Sequence, residues 1–278
     1  MTEPLRLDRA LFTISGPDTT EFLQNLVTND VTLLVRQPVV YAGILSPQGK
    51  VTADFILWRT DEGVLVDVHA RAADALRAKL TLYRLRAKVE IGPIEAGLGV
   101  FAGDLTGAAI LSAADPRRPE AGLRAIRLAQ GAAPQAEPEA YRARRIEAGL
   151  PNLAHDAAPE EVFALEALFE ELNGVDFQKG CFVGQENVSR MKRRATTRKK
   201  FCPVTFEGAA PPFGTAITVD NAEIGWVRSG IEGRAIALMR LDRAQETLEK
   251  GCMLLAEGKV LHLAAPSWLI MPSATETA

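Results

Sequence analysis

Cysteine and histidine are scarce in this chain, with three of each in 278 residues. Cys181, Cys202 and Cys252 are odd in number and widely spaced, which argues against a disulfide framework, and no Cys-x-x-Cys or His-x-His pair marks a zinc site. His69, His155 and His262 are scattered, so no metal site within the chain is expected. No run of eighteen apolar residues occurs, so neither a spanning helix nor a membrane partner is expected. Residues 1–9 carry charges of both signs and no apolar core of signal-peptide length, which makes the cytoplasm the expected compartment. Also missing are a Gly-x-x-x-x-Gly-Lys-Ser/Thr loop, a His-Glu-x-x-His motif and a Ser-His-Asp order. Ser46-Pro47-Gln48-Gly49-Lys50 has a turn and a lysine, but not the spacing that would cradle a nucleotide. The formal net charge of -3 argues against nucleic-acid binding by the surface as a whole, while leaving room for a local basic patch.

The composition that remains, 47% hydrophobic and 24% charged, is that of a globular chain long enough for two or three domains. Ser15-Gly16-Pro17-Asp18 opens a helix carried on by Phe22, Leu23, Leu26 and Val27. Strands are expected over 39–45, 51–58 and 65–68, a helix over 72–84 and a strand over 89–91, together a mixed α+β unit. Short strands follow over 100–101, 109–111 and 124–128, then a connector over 131–138 and a short helix over 141–147. Residues 159–172 read as the clearest helix of this region. Glu160 and Glu161 sit in its first turn, Val162, Leu165, Phe169 and Leu172 form its buried face, and Glu166 points to water. Asn173-Gly174 is its stop. Residues 185–194 form another helix, acidic at its start and basic at its end. Beyond residue 200, short apolar runs alternate with Gly and Pro turns, as in a small antiparallel barrel or sandwich.

Lys179-Gly180-Cys181-Phe182-Val183-Gly184-Gln185-Glu186 is the most informative stretch. It sets one cysteine between glycines, beside a lysine and ahead of a helix, and cations and helix N-termini stabilise thiolates. Exposed, Cys181 is a reactive sulfur at a prepared site; buried, the segment is a packed turn. Cys202 and Cys252 read as core residues. Arg190, Lys192, Arg193, Arg194, Arg198, Lys199 and Lys200 form a basic run, read either as a solvated helix end or as a patch for a polyanion such as a tRNA backbone or a folate polyglutamate tail. Asp54 lies among apolar neighbours on a strand, and Arg145 and Glu166 are further polar residues that could face a cavity.

Together these residues resemble the YgfZ proteins, folate-binding relatives of the glycine cleavage T-protein, an aminomethyltransferase. The octapeptide carries the resemblance. Ser15-Gly16-Pro17-Asp18, Leu26-x-Thr28-Asn29-Asp30, Tyr41-Ala42 through Lys50 to Asp54, and Arg145-Ile146-Glu147-Ala148-Gly149-Leu150-Pro151 extend it. The resemblance implies an α+β, three-domain cloverleaf with a C-terminal antiparallel β-barrel: a folate-binding core from 1–46 plus 141–197, a mixed α/β domain from 47–140, and the barrel from 198–278. It also implies a folate-binding accessory protein for assembly or repair of iron–sulfur enzymes, including tRNA-thiolating radical enzymes, which it would meet as transient clients. Tetrahydrofolate is the implied cofactor. On the matching positions Cys181 is the functional thiol with Lys179 and Asp54 as its catalytic companions. Asp54, Glu166, Arg145, Gln185, Glu186 and Arg190 are the implied folate contacts, and the basic run offers a tRNA contact. In one departure, Ala53 stands where T-proteins place the first of two aspartates, which weakens the case for glycine-cleavage activity. The alternative is a tetrahydrofolate-dependent aminomethyl- or methyltransferase resting on Asp54.

Overall fold

The computed structural model describes residues 4–103, 109–129, 134, 136–195 and 197–272. Strands β1 (Leu5–Arg6) and β2 (Arg9–Ser15) lead into helix α1 (Thr19–Gln24) and a 3-10 helix over Val31–Val35. Next come β3 (Val39–Leu45), β4 (Val51–Arg59), β5 (Gly63–His69), α2 (Ala70–Arg84), β6 (Glu90–Ile94), β7 (Leu98–Ala102), β8 (Leu111–Ala114) and β9 (Leu123–Leu128). Helices α3 (Glu139–Glu147), α4 (Leu153–Asp156) and α5 (Gln185–Arg194) precede β10 (Lys199–Thr205), β11 (Ala216–Val219), β12 (Ala222–Ile231) and β13 (Arg234–Arg240). Helix α6 (Leu241–Glu249), β14 (Leu254–Ala256) and β15 (Lys259–Leu263) complete the described chain.

The strands make three sheets: a five-stranded sheet ordered β3-β4-β5-β2-β6, a four-stranded sheet ordered β1-β7-β9-β8, and a closed barrel ordered β10-β13-β12-β11-β14-β15. Every strand pairing is antiparallel, and β10 closes the barrel by pairing with both β13 and β15. The expected division at residue 46 runs through the β3–β4 hairpin, whose register pairs Val39 with Trp58 and Leu45 with Val51. The connector expected over 131–138 lies partly outside the described residues. Sequence periodicity missed α6, a short insert between barrel strands, and β14, a three-residue barrel strand.

Both faces of the five-stranded sheet are buried, which explains why β3 reads as an unbroken apolar run. One face carries Val40, Ala42, Ile44, Phe55 and Leu57 against Phe22, Leu23, Leu76 and Leu80. The other carries Tyr41, Leu45, Ile56 and Trp58 against Val162, Leu165 and Phe169. Each fully buried side chain of this size contributes about 1.5–3 kcal/mol. The outer edge of β3 is occupied by residues 27–29. Thr28 N–H donates to Gly43 O at 3.0 Å, Gly43 N–H donates to Thr28 Oγ1 at 2.9 Å, and Asn29 Nδ2 donates to Tyr41 O at 2.8 Å.

The helix expected over 159–172 does not form. Glu160 and Leu168 adopt left-handed backbone at φ 62° and 63°, which interrupts any helix. Besides turn bonds within the segment, several of its backbone groups bond to neighbouring segments. Val51 N–H donates to Val162 O, Glu160 N–H to Val51 O, and Ala164 N–H to Gly49 O. Apolar spacing suited to a helix is satisfied here by a buried run of turns, because the sheet covers it on one side. Phe169 fills the space over Gly43, where an added Cβ would meet its ring at 2.5 Å. Glu166, expected in water, is only 8% exposed.

Candidate functional site

The cysteine loop is built from the motifs that the sequence singled out separately. Lys179 is buried, and its Nζ donates to Val27 O at 2.6 Å and Asn29 O at 2.9 Å while lying 5.2 Å from the Phe182 ring centroid. Burial, partly opposed by Asp30 and Asp176, lowers this ammonium to about 8. The loop is thus tied to the chain just past α1. Among the described residues Lys179 makes no bond to Cys181, so it anchors the loop rather than pairing with the sulfur. Asp176 Oδ1 accepts from the Gln178 and Lys179 N–H groups and fixes the turn.

On the other side of Cys181, Gly184 sits at φ 83° ahead of α5, and an added Cβ would lie 2.6 Å from Ser46 O. Asn187 Nδ2 donates to Gln48 O at 2.8 Å. The Ser46–Lys50 turn is therefore a seat for the start of α5, where Gly49 and Gly184 meet backbone to backbone. Phe182 is buried, and Cys181 is exposed. Gly180 differs from Gly184: an added Cβ would meet nothing within 4 Å, and its φ is ordinary. Of the other thiols, Cys202 is fully buried and pushed up to about 12, as expected of a core residue, while Cys252 is only half-buried.

Asp54 lies on β4 and accepts from the Tyr41 phenol at 3.1 Å. Burial, reinforced by Asp54, holds the Tyr41 hydroxyl well above its usual range, so it remains a donor. Asp54 borders two cavities. The larger, about 630 Å³, is lined mostly by apolar groups, among them Val51, Leu76, Leu153, Val162 and Phe213, with His155 and Arg228 at its polar edge. The smaller, about 20 Å³, has room for little more than one water molecule and is walled by arginines and acids.

Those walls are a saturated network. Asp67, fully buried, receives Arg9 at 2.5 Å and Arg124 at 2.9 Å. Asp115 receives Arg117 and Arg124, both at 2.8 Å, and the two arginines also donate to the Tyr141 phenol. Burial alone would raise Tyr141, but Arg124 and Arg117 outweigh it and hold the phenol below its ordinary value. Arg145 spends every donor: Nε and Nη2 on Glu137, Nη1 on Asp156 and Leu150 O, and Nη2 again on Ser229 of the barrel.

Several expected folate contacts therefore have other partners. Arg145 lines the small cavity but has no N–H left to give. Glu166 accepts from Phe163 N–H at 2.9 Å and faces Lys199 at 3.6 Å; burial raises its carboxyl against both. Glu166, Gln185, Glu186 and Arg190 line neither cavity. Arg190 is exposed and donates to Asn187 on its own helix. In the basic run, Lys192 pairs with Glu170, Arg198 with Asp242, Lys199 with Glu166 and Lys200 with Glu171. Only Asp54 among the expected contacts offers a carboxylate to a cavity large enough for a pterin.

Sequence reasoning missed the arginine–aspartate network and a cluster of Asp8, His69 and His155, whose donor atoms lie within 4.8 Å of one another. The histidines are far apart in the chain and carry no spacing signal. His69 at the last residue of a strand before an alanine-rich helix was the one local hint, since it caps α2 by accepting from Arg71 N–H at 3.2 Å.

The sequence pattern of the CAF17 C-terminal beta-barrel domain matches residues 198–270, the span of the closed barrel. The fold matches the crystal structure of glycine cleavage system aminomethyltransferase T from Bartonella henselae, with a TM-score of 0.71 over 95% of this chain and 85% of that one. At 17% identity this likeness concerns the fold, and it bears out the expected T-protein-like architecture. The relatives in sequence carry the name IBA57 rather than YgfZ. The chain is 33% identical to the mitochondrial iron-sulfur cluster assembly factor IBA57 homolog of Mycosarcoma maydis, over 73% of this chain and 57% of that protein. It is 31% identical to the Neurospora crassa homolog, over 73% of this chain and 54% of that protein. The chain thus spans little more than half the length of these fungal relatives. Human mitochondrial IBA57 is 30% identical over 95% of this chain and 84% of the human protein. These relatives are named as mitochondrial proteins, which overturns the cytoplasmic expectation; the charges and apolar content of residues 1–9 carry no information on organelles. With a relative this similar covered over most of its length, the chain belongs to the IBA57 family of iron–sulfur cluster assembly factors.

Proposed function

We propose that this chain is an accessory factor in the assembly or repair of iron–sulfur enzymes, with Cys181 as its working thiol and tetrahydrofolate as its ligand. One observation carries the reading: Cys181 is exposed on a loop anchored on both sides, by Lys179 to residues 27–29 and by Gly184 to the Ser46–Lys50 turn. A side chain that contributes little to the core is held in place by residues that contribute much. Thiolates are the usual protein ligands of iron–sulfur clusters, and one alone cannot hold a cluster. Cys181 therefore acts together with a client's own ligands, which makes the contact transient. The relatives' names supply the client class, and tRNA-thiolating radical enzymes, as in the YgfZ resemblance, are its narrower form. A direct tRNA contact would fall on Arg190, Arg193 and Arg194, the members of the basic run without a carboxylate partner among the described residues.

Folate enters through Asp54. A carboxylate accepts two parallel N–H bonds from an aminopterin edge, and Tyr41 takes one lone pair of Asp54 while leaving its other sites to the cavity. The test replaces Cys181 by alanine and measures client [4Fe–4S] enzyme activity beside tetrahydrofolate binding. Client activity should fall to the level without the factor while folate binding persists. Unchanged client activity would remove the sulfur from the mechanism. One-carbon transfer to an amine that survives Cys181→Ala would favour the transferase alternative instead.

A further inference from the structure

Asp8, His69 and His155 come from three separate elements: the link between β1 and β2, the end of β5, and α4. His69 Nε2 lies 3.0 Å from His155 Nε2 and 3.6 Å from Asp8 Oδ2. The two rings meet edge to face with centroids 4.8 Å apart. Asp8 and His69 border the small cavity, and His69 and His155 border the large one, so the cluster stands at the partition between them.

We infer that Asp8, His69 and His155 form a binding site for a divalent first-row transition-metal ion, with its remaining coordination positions turned to the cavities. Two imidazoles and one carboxylate are the protein donors of the facial-triad class of sites. Two nitrogens at roughly 2.1 Å from an ion and at right angles to each other stand about 3.0 Å apart, the separation found between the two Nε2 atoms, whereas Asp8, in a set whose donor atoms spread over up to 4.8 Å, has to swing inward to complete it. Imidazole ligates in its neutral form, through the Nε2 atoms that face each other here.

Two of the three neighbouring arginines are already matched by carboxylates. Arg9 is paired with Asp67 and Arg145 with Glu137 and Asp156, while Arg71, which donates to Ala154 O, keeps its charge beside the cluster. Asp8 is left as the anion that faces the ion. In the metal-free state Arg71 N–H donates to His69 Nδ1, which assigns the ring proton to Nε2, facing His155. Binding at Nε2 transfers that proton to Nδ1 and gives up the Arg71 bond. Loading is therefore coupled to the first turn of α2, and the Arg71 amide reports on it.

The site shares no residue with the cysteine loop, so it can be tested apart from the thiol. The full chain is titrated anaerobically with Co(II) alone, followed by calorimetry, visible absorption and the amide signal of Arg71. We expect one Co(II) per chain, a spectrum without thiolate-to-cobalt charge transfer, and a shifted Arg71 amide. Cys181→Ser should bind unchanged, whereas His155→Ala and Asp8→Asn should each weaken binding by about tenfold or more. Asp8→Asn is isosteric and His155 is half-exposed, so both variants retain the fold. Competition with Fe(II) and Zn(II) then ranks the ions. No binding, equal affinity in wild type and His155→Ala, or loss of binding in Cys181→Ser would each overturn the assignment.

Discussion

The cysteine loop and the arginine-lined cavity solve opposite problems with similar materials. In the loop, a buried cation is bonded to carbonyl oxygens so that one neighbouring side chain can stay outside. In the cavity wall, several buried cations are bonded to carboxylates so that the sheets and the barrel are held together. The difference teaches where reactivity can reside. Arg145 looked like a ligand-binding residue in sequence and is fully committed, whereas Cys181 is nearly uncommitted. A polar residue in a motif is a reagent only if the structure leaves it something to do.

The cavity wall offers the most severe way to break this contrast. Arg145→Ala leaves Glu137 and Asp156 in a poorly hydrated site without their cation, and removing one partner from a buried pair typically costs about 3–5 kcal/mol. Urea denaturation should show a loss of that order; a loss of only a few tenths would mean that the wall is hydrated and the network ornamental. The two loop glycines sharpen the contrast further. Gly184→Ala forces a left-handed alanine against Ser46 O and should cost about 1–3 kcal/mol. Gly180→Ala meets open space and should stay within about 0.5 kcal/mol. Thermal unfolding of the pair separates them, and equal losses would mean that the loop is not seated as described. The smallest effect is a pH dependence. Between pH about 8 and 10.5 the unfolded chain retains the Lys179 proton that the folded chain has released, so stability should rise with pH across that window. In Lys179→Met that rise should shrink, read as the change in urea midpoint from pH 7.5 to 10. Identical changes in both proteins would place the lysine in water.

Much of the fold was legible because its signals are local. Strands β3 and β4 alternate between two apolar faces, and Gly184-Gln185-Glu186 opens a helix whose basic last turn suits its dipole. What failed was the segment over 159–172, where helical spacing of Val162, Leu165, Phe169 and Leu172 coincides with burial from two directions. Periodicity reports which residues are covered, not which backbone covers them, and the left-handed Glu160 and Leu168 leave no mark in a pattern of apolar positions. At the site, the motifs singled out Cys181 but left open whether it is exposed or buried, and Asp54 at a ligand site rested on the family resemblance. The seat of Gly184 on the Ser46–Lys50 turn was not legible, since it joins residues more than a hundred positions apart. The meeting of His69 and His155, 86 positions apart, left no spacing signal either.

Residues 27–29 give the molecule one further property. β3 ends the five-stranded sheet, and a bare terminal strand invites another chain to extend it. Thr28 and Asn29 occupy those backbone groups with their own N–H and side-chain atoms. Self-association by strand addition is thereby blocked on that flank, as closure blocks it in the barrel. Copies of this chain that lose Thr28 would be expected to stick to one another before they unfold.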